Sequence, residues 1–339
     1  MNILLAASEV FPYAKTGGLA DVAGALPKAL ARLGHRVRII MPRYNLDRIV
    51  SAGELLPQKL EVPFAFGTRH SAVYIDSSGQ VPVYFVDSPE YFARGRLYGE
   101  SDEGERFAYF CRSVVEFARS LGERLDIIHL NDWMTGLVAA YLKTVYAGDQ
   151  AVSRLGTVFT IHNLAFPGFF DAGILPRVGL PETIFRTEAG IEFYGQASAL
   201  KAGLVFSDAL TTVSPRYSWE IQTPELGERF EGLLRARAGQ LYGILNGVDY
   251  EEWSPDVDGH IAASYSMVDL RGKAECKRDL LQSFGLPVDL DRPLIGCISR
   301  LSDQKGFDLI LDIAGRILDR GVAFVLLGSG AEVYERAFQ

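Results

Sequence analysis

The sequence predicts an α/β protein of two domains, each built from parallel βαβ units. Three observations carry this. The chain opens with a short apolar run, "NILLAA", of the kind a strand buried on both faces presents. Apolar residues at helical spacing in "DVAGALPKALARLG" follow, and then a second apolar run, "RVRIIMP". Near Glu251 the texture turns polar and broken, and a fresh alternation of strand and helix begins beyond it.

Taken in order, the first helix stops at Gly34 and the second strand at Pro42. From about Gln58 to Asp87, "KLEVPFAF", "HSAVYID" and "VPVYFVD" read as short strands broken by "GT" and "SSGQ". They are expected to form an antiparallel meander inserted into the α/β pattern. Residues 104–121 read as a helix, "DIIHL" as a strand, "WMTGLVAAYLKTVY" as a helix and "GTVFTIHN" as a strand. Residues 165–195 are rich in Gly, Pro and aromatics and read as a long loop region with short helices; loops of that length are usually functional. "DALTTVS" reads as a strand and "GILNGVD" as a strand and turn. The expected division is a first domain over 1–250, a linker over 251–268 and a second domain over 269–339. In the second domain "KAECKRDLLQSFGL" and "FDLILDIAGRILDRG" are helical, and "PLIGCIS" and "AFVLLGSG" are strands. A doubly wound half needs three or more strands, so the second domain is expected to be incomplete.

Composition narrows the function classes. The 339 residues are 48% hydrophobic and 22% charged, which suits a sizeable core and excludes a disordered chain. A net charge of -8 gives nothing to counterion release, so nucleic acid is not an expected partner. Cys111, Cys276 and Cys297 form no CxxC pair, which argues against a disulfide framework or a cysteine zinc site and fits a reducing cytosol. The N-terminal run lacks a basic flank and reads as a strand, not a signal peptide. No apolar stretch approaches the roughly 18 residues of a membrane span. A cytoplasmic location with no membrane partner is therefore expected.

Five stretches are candidates for chemistry. In "KTGGLAD", Lys15, Gly17 and Gly18 lie between a strand and a helix. Adjacent glycines let a backbone approach an anion, and the helix adds its positive end. The spacing fits neither a Walker A loop nor GxGxxG, and a turn requiring positive φ explains the glycines equally well. In "SRLSDQKGFD", Arg300 ends a strand and Lys305 begins a helix, at the kind of strand end where open α/β sheets bind ligands. Two cations there suit a diphosphate, and a solvated salt-bridged loop is the alternative. In "IHLNDWMTG", Asp132 follows a strand and either bonds a sugar hydroxyl or N-caps the next helix; the cap alone is the simpler reading. In "IHNLAFPG", His162 ends a strand in the same way, where a lone His is more often structural. In "GILNGVD", Asn246 reads first as a turn residue, with an amide able to face a ligand. No His or carboxylate set has metal-ligand spacing, so no metal site is expected.

Together these stretches closely resemble the bacterial glycogen synthases and plant starch synthases, retaining glycosyltransferases with two Rossmann-like domains (the GT-B type). The matching segments are "ASEVFPYAKTGGLADVAGALPKAL", "IHNLAF", "TTVSPRYSWEIQTPE", "GLLRARAGQLYGILNGVD" and "SRLSDQKGFDLI", spread over the whole chain. The resemblance implies a hexosyltransferase that moves glucose from ADP-glucose to the non-reducing 4-OH end of an α-1,4-glucan, with no cofactor. It implies that Lys15, Gly17 and Gly18 contact the donor diphosphate and that Arg300 and Lys305 stabilise it as it leaves. Asp132, His162 and Asn246 then surround the transferred glucose and acceptor, and Tyr98 in "GRLYGE" corresponds to an acceptor-side aromatic. Two positions depart from the family pattern: Pro167, where a glutamine is usual, and Met134, where His or Gln is common. A later carboxylate motif of the family is absent before Gln339, so this chain alone is expected to have little or no synthase activity. The alternatives are a non-catalytic glucan- or nucleotide-binding fragment and a related nucleotide-sugar glucosyltransferase. A sucrose or trehalose-phosphate synthase relative would lack "GLLRARAG".

Overall fold

Strand β1 (Asn2–Ala6) is an apolar run with both faces covered, and Leu4, Leu5 and Ala6 are wholly buried. The computed structural model describes residues 1–339 and divides them into two units, Met1–Gly247 and Val248–Gln339. In the first unit, helix α1 (Gly18–Arg32) follows β1 and buries Leu19, Ala20, Ala23 and Gly24 at helical spacing. Strand β2 (Arg36–Pro42) then runs parallel to β1, with Ile3 opposite Val37.

Next come β3 (Glu54–Leu55), β4 (Leu60–Phe64), β5 (Gly67–Asp76) and β6 (Val83–Asp87). The expected meander is real but not a separate insertion. Strand β6 joins the main sheet parallel to β2, with Ile39 opposite Val83, while β5 pairs antiparallel with β3, β4 and β6. The reason lies in β6 itself: Val83, Phe85 and Val86 are all buried, which a two-sided sheet position requires.

Helix α2 (Glu103–Ser120), β7 (Ile127–Asn131), α3 (Trp133–Lys143) and β8 (Gly156–Ile161) continue the winding. The loop region beyond β8 carries a small sheet that its sequence did not announce: β9 (Phe169–Phe170), β10 (Glu192–Phe193) and β11 (Gln196–Ser198). Helix α4 (Ala199–Phe206) packs on α3 at Gly136, where a Cβ would stand 2.0 Å from the Ala199 carbonyl oxygen. Strand β12 (Ala209–Thr212), α5 (Pro215–Glu220) and α6 (Glu231–Ala236) follow. The last strand, β13, spans Leu241–Gly243, earlier than "GILNGVD" suggested. Leu241 is buried opposite Leu210, whereas the side chains of Ile244, whose N–H still donates to the Thr212 carbonyl at 2.8 Å, and Leu245 are exposed.

The strand order is β13-β12-β8-β7-β1-β2-β6-β5-β3, with β4 paired to β5 off this path. From β13 to β6 every pair is parallel. The winding runs outward from β1 through β2 and β6, then resumes at β7 on the other side of β1. Strands β1 and β7 therefore flank a topological switch point, where open α/β sheets place ligands at the carboxyl ends of the strands.

The second unit contains α7 (Arg271–Ser283), β14 (Leu294–Ile298), α8 (Phe307–Leu318), β15 (Ala323–Leu327) and α9 (Glu332–Ala337). Strands β14 and β15 are parallel, and Leu301, Phe307 and Tyr334 form a small core. No helix of the chain is long and apolar enough to cross a membrane.

Candidate functional site

Because the central strands are parallel and in register, the residues that follow them share one rim. Ser8 and Glu9 follow β1, Asn131 and Asp132 close β7, and His162 follows β8. The loop ahead of α1 carries Lys15, Gly17 and Gly18 to the same end of β1.

The glycines do not answer to a turn that needs positive φ. Gly17 sits at the N-cap of α1 with φ -162°, extended backbone open to any residue, and Gly18 is the first helical residue. A Cβ on Gly18 would meet no atom of the chain within 4 Å. No packing inside the protein calls for glycine at position 18, so the turn explanation fails there. Lys15 is exposed, lies 5.4 Å from the Phe11 ring centroid and pairs with Asp21 in the first turn of α1 at 2.7 Å.

Asp132 occupies the N-cap position of α3, at φ 56°, yet its side chain makes no cap bond. The simple cap reading is thus overturned. Its Oδ1 instead accepts the backbone N–H groups of His162 at 2.7 Å and Asn163 at 3.4 Å, tying the end of β7 to the end of β8. Leu164 N–H donates to the Tyr217 hydroxyl at 3.3 Å, so three successive amides of this turn end on side chains. Burial pushes the Asp132 carboxyl up to about 7; the two N–H groups oppose this, and the charge of Glu9 adds to it.

His162 is held by its own neighbour set. Its Nε2 lies 3.0 Å from Asn131 Oδ1, and the Asn131 Nδ2 donates to the Ala6 carbonyl at 3.0 Å. That orients the amide so that its oxygen faces the ring, making Nε2 the protonated nitrogen and Nδ1 the acceptor. Burial, then the nearby His129, depresses the His162 ring to about 4, so it is neutral at physiological pH. His129 is also depressed to about 4 by burial and meets the Thr160 hydroxyl at 2.6 Å.

Tyr98 enters the same region from the segment between β6 and α2. Its hydroxyl donates to Glu9 Oε1 at 2.7 Å and lies 2.7 Å from Ser8 Oγ, while its ring sits 6.4 Å from that of Trp133. Burial raises its hydroxyl pKa well above the usual value. Glu9 was not singled out by sequence reasoning and proves to be the point where Tyr98 and the 15–18 loop meet. Its signal was present: a charged residue three positions past a buried strand, at a carboxyl end.

The other candidates lie on later segments of the chain. Asn246 is exposed, three residues beyond β13. In the second unit Arg300 is exposed two residues past the end of β14, and Lys305 closes a short 3-10 turn, Asp303–Lys305, while the α-helix starts only at Phe307. Gly306, at φ 71°, separates turn and helix, so Lys305 precedes the helix instead of beginning it. Asp303 accepts a hydrogen bond from the Tyr334 hydroxyl.

Of the two departures from the family pattern, Met134 is a buried core residue whose carbonyl accepts from the Cys111 thiol at 3.2 Å. The Pro167 carbonyl accepts from Ser198 Oγ at 2.6 Å and Leu200 N at 3.1 Å, fastening the loop to the start of α4. No group of three or more His, Cys, Asp or Glu side chains is arranged to hold a metal ion.

Comparison with known proteins converges on one family. The starch synthase catalytic domain family matches residues 2–236. A glycogen synthase of Anaeromyxobacter sp. (strain Fw109-5) is 48% identical over 345 aligned positions, covering 100% of this chain and 71% of that protein. A glycogen synthase of Thermosipho africanus is 41% identical, again over 100% of this chain and 71% of its own length. Among solved structures, the catalytic domain of starch synthase IV from Arabidopsis thaliana, bound to ADP and acarbose, superposes with a TM-score of 0.92 at 35% identity, covering 99% of this chain and 70% of that one.

Proposed function

Since the chain belongs to the glycogen and starch synthase family of GT-B glucosyltransferases, we propose that it takes ADP-glucose as donor and an α-1,4-glucan as acceptor. Glucose passes to the non-reducing 4-OH with retention. The observation that carries this reading is the rim at the β1/β7 switch point. There the N-terminus of α1, beginning at a glycine with no neighbour above it, stands with a neutral His162 and the buried acids Glu9 and Asp132. Residues 1–250 then form the acceptor-side domain, and residues 269–339 belong to the nucleotide-sugar-binding domain, joined by 251–268.

Lys15, Gly17 and Gly18 are assigned to the donor diphosphate, with the amides and dipole of the first turn of α1 supplying preorganised positive potential. Arg300 and Lys305 carry the remaining countercharge for the leaving diphosphate. His162 and Asn246 hydrogen-bond the transferred glucose, and Tyr98 contacts the acceptor. Asp132 serves as the acceptor that fixes the His162–Asn163 turn, so that the His162 backbone carbonyl is held toward the sugar. It is assigned this holding role and not that of a nucleophile, on the two N–H groups its Oδ1 accepts. The reaction then proceeds on one face, the departing phosphate oxygen taking the acceptor proton. A glucosyl group trapped covalently on Asp132 would overturn this assignment. Nucleic acid is not proposed as a partner, and the location is proposed to be cytoplasmic.

The test is calorimetric titration of this chain with ADP-glucose and with maltooligosaccharides separately, alongside ADP release on mixing both. Binding of each supports the reading, and release of ADP would overturn the expectation that this chain alone has little or no activity. Glucan binding without donor binding would instead mark a non-catalytic glucan module.

A further inference from the structure

We propose that Glu9 is a positioning residue, one carboxylate that locks the 15–18 loop and Tyr98 to each other. The inference rests on the reading above, in which that loop serves the donor and Tyr98 the acceptor, and adds a physical link between the two.

Glu9 is 3% exposed, just beyond the end of β1. Its Oε1 accepts from the Thr16 hydroxyl at 2.7 Å and from the Tyr98 hydroxyl at 2.7 Å, and its Oε2 accepts from the Thr16 backbone N–H. All three donors are neutral. A buried carboxylate without a paired cation is costly to hold, and only full hydrogen bonding makes it tolerable. An apolar side chain would fill the same volume without that cost, so packing does not account for an acid here. What a forked polar side chain offers is hydrogen bonding to several groups at once, and those groups come from two segments far apart in sequence. Thr16 directly precedes Gly17, the N-cap of α1, so the position of its amide sets where the first turn of α1 begins. The Tyr98 hydroxyl donates to the same oxygen and is steadied further by Ser8 Oγ. A displacement of the Tyr98 hydroxyl is therefore transmitted through a single oxygen to the start of α1. Glucan seated against Tyr98 would tighten the donor loop, and the empty acceptor side would relax it.

The test uses hydrogen exchange on the whole chain, followed by kinetics, with Glu9→Ala, Glu9→Gln and Tyr98→Phe. Tyr98→Phe deletes a hydroxyl that does not touch the loop, yet it should speed amide exchange in the peptide spanning Thr16–Gly18 by about fivefold, leaving β7 and β8 unchanged. Glu9→Ala should speed it by about tenfold or more, and Tyr98→Phe should add nothing in that background. Glu9→Gln should restore protection. Its carbonyl takes the Thr16 N–H while the two hydroxyls turn to accept from its amide. In a form that turns over ADP-glucose, Glu9→Ala should lower kcat by more than it raises the glucan KM, with Glu9→Gln recovering most of the loss. Additive effects of Glu9→Ala and Tyr98→Phe on Thr16–Gly18, or faster exchange spread evenly over the sheet, would overturn the proposal. The exchange measurement needs no substrate, so a chain that fails to bind donor sinks the functional reading while the link between Thr16 and Tyr98 is still decided.

Discussion

Replacing Asp132 with Asn should make the protein more stable at neutral pH, and the gain should shrink in acid. The substitution keeps an amide oxygen for the His162 N–H at 2.7 Å and tolerates φ 56° as readily as Asp does. What it removes is the ionisable group. Burial raises the Asp132 carboxyl from 3.8 to about 7. At 1.36 kcal/mol per unit, a shift of roughly 3 units corresponds to about 4 kcal/mol. The sign follows from proton counting. Below pH 3.8 the group is protonated in both states and contributes nothing. Between 3.8 and 7 the unfolded chain has released its proton and the folded chain has not, so stability falls as pH rises; above 7 the penalty is constant. The difference between Asp132→Asn and wild type should therefore be roughly a third as large at pH 5 as at pH 7.5, where it is about 4 kcal/mol. His162 and His129, both depressed to about 4, slope the opposite way between 4 and 6.5, but they are present in both proteins and cancel in the difference. Urea denaturation of the two proteins at pH 5, 6 and 7.5 measures it. A difference that does not change with pH would show that Asp132 is ionised in the folded protein across this range, and would refute the account of its role.

The remaining predictions concern other parts of the first unit. Lys15→Ala should lower turnover in a form that turns over ADP-glucose while changing stability by no more than about 0.5 kcal/mol, because the Lys15–Asp21 pair is partly exposed, and glucan binding measured by calorimetry should persist. Gly18→Ala should leave the thermal midpoint unchanged or slightly higher, since alanine is the better helix former by about 1 kcal/mol and its Cβ meets nothing, while donor affinity falls. Gly136→Ala should destabilise by about 3 kcal/mol or more, because the new Cβ stands 2.0 Å from the Ala199 carbonyl oxygen at the α3/α4 contact, and thermal denaturation reports it. In an NMR titration the His162 and His129 rings should stay neutral from pH 8 down to about 5.5; as both are depressed, the stability they confer is complete above 6.5 and declines as pH falls toward 4.

Which features the sequence disclosed depends on how local their causes are. The central strands were legible because a strand buried on both faces is largely apolar, as β1 is beyond Asn2 and β2 is beyond Arg38, while β7 and β8 keep apolar residues among a few polar ones. The small sheet of β9, β10 and β11 was not, because strands of two or three residues leave too little pattern to read. Strand β13 was misplaced because Ile244 and Leu245 look like strand residues, while the ladder is decided by Leu241 finding Leu210. The rim shows the same division. That Asp132 and His162 follow strands could be read directly. That Asp132 bonds the amides after β8, and not the helix it precedes, depends on β7 and β8 lying side by side.

The distribution of charge on these residues sorts their work. Glu9 and Asp132 are buried acids, and each spends its oxygens on N–H or O–H donors of a neighbouring segment. Lys15, Arg300 and Lys305 are exposed, on long side chains that water can still reach. A buried acid that loses a donor leaves an unsatisfied group in a poorly solvated place, so it resists displacement and holds shape. An exposed cation gives up its hydration and swings toward an anion at little structural cost. The acids are therefore suited to keep loops in register before a substrate arrives, and the cations to respond when a diphosphate does. On this division, neutralising an acid should alter stability and loop order even without ligand, whereas neutralising a cation should show itself only when donor is present.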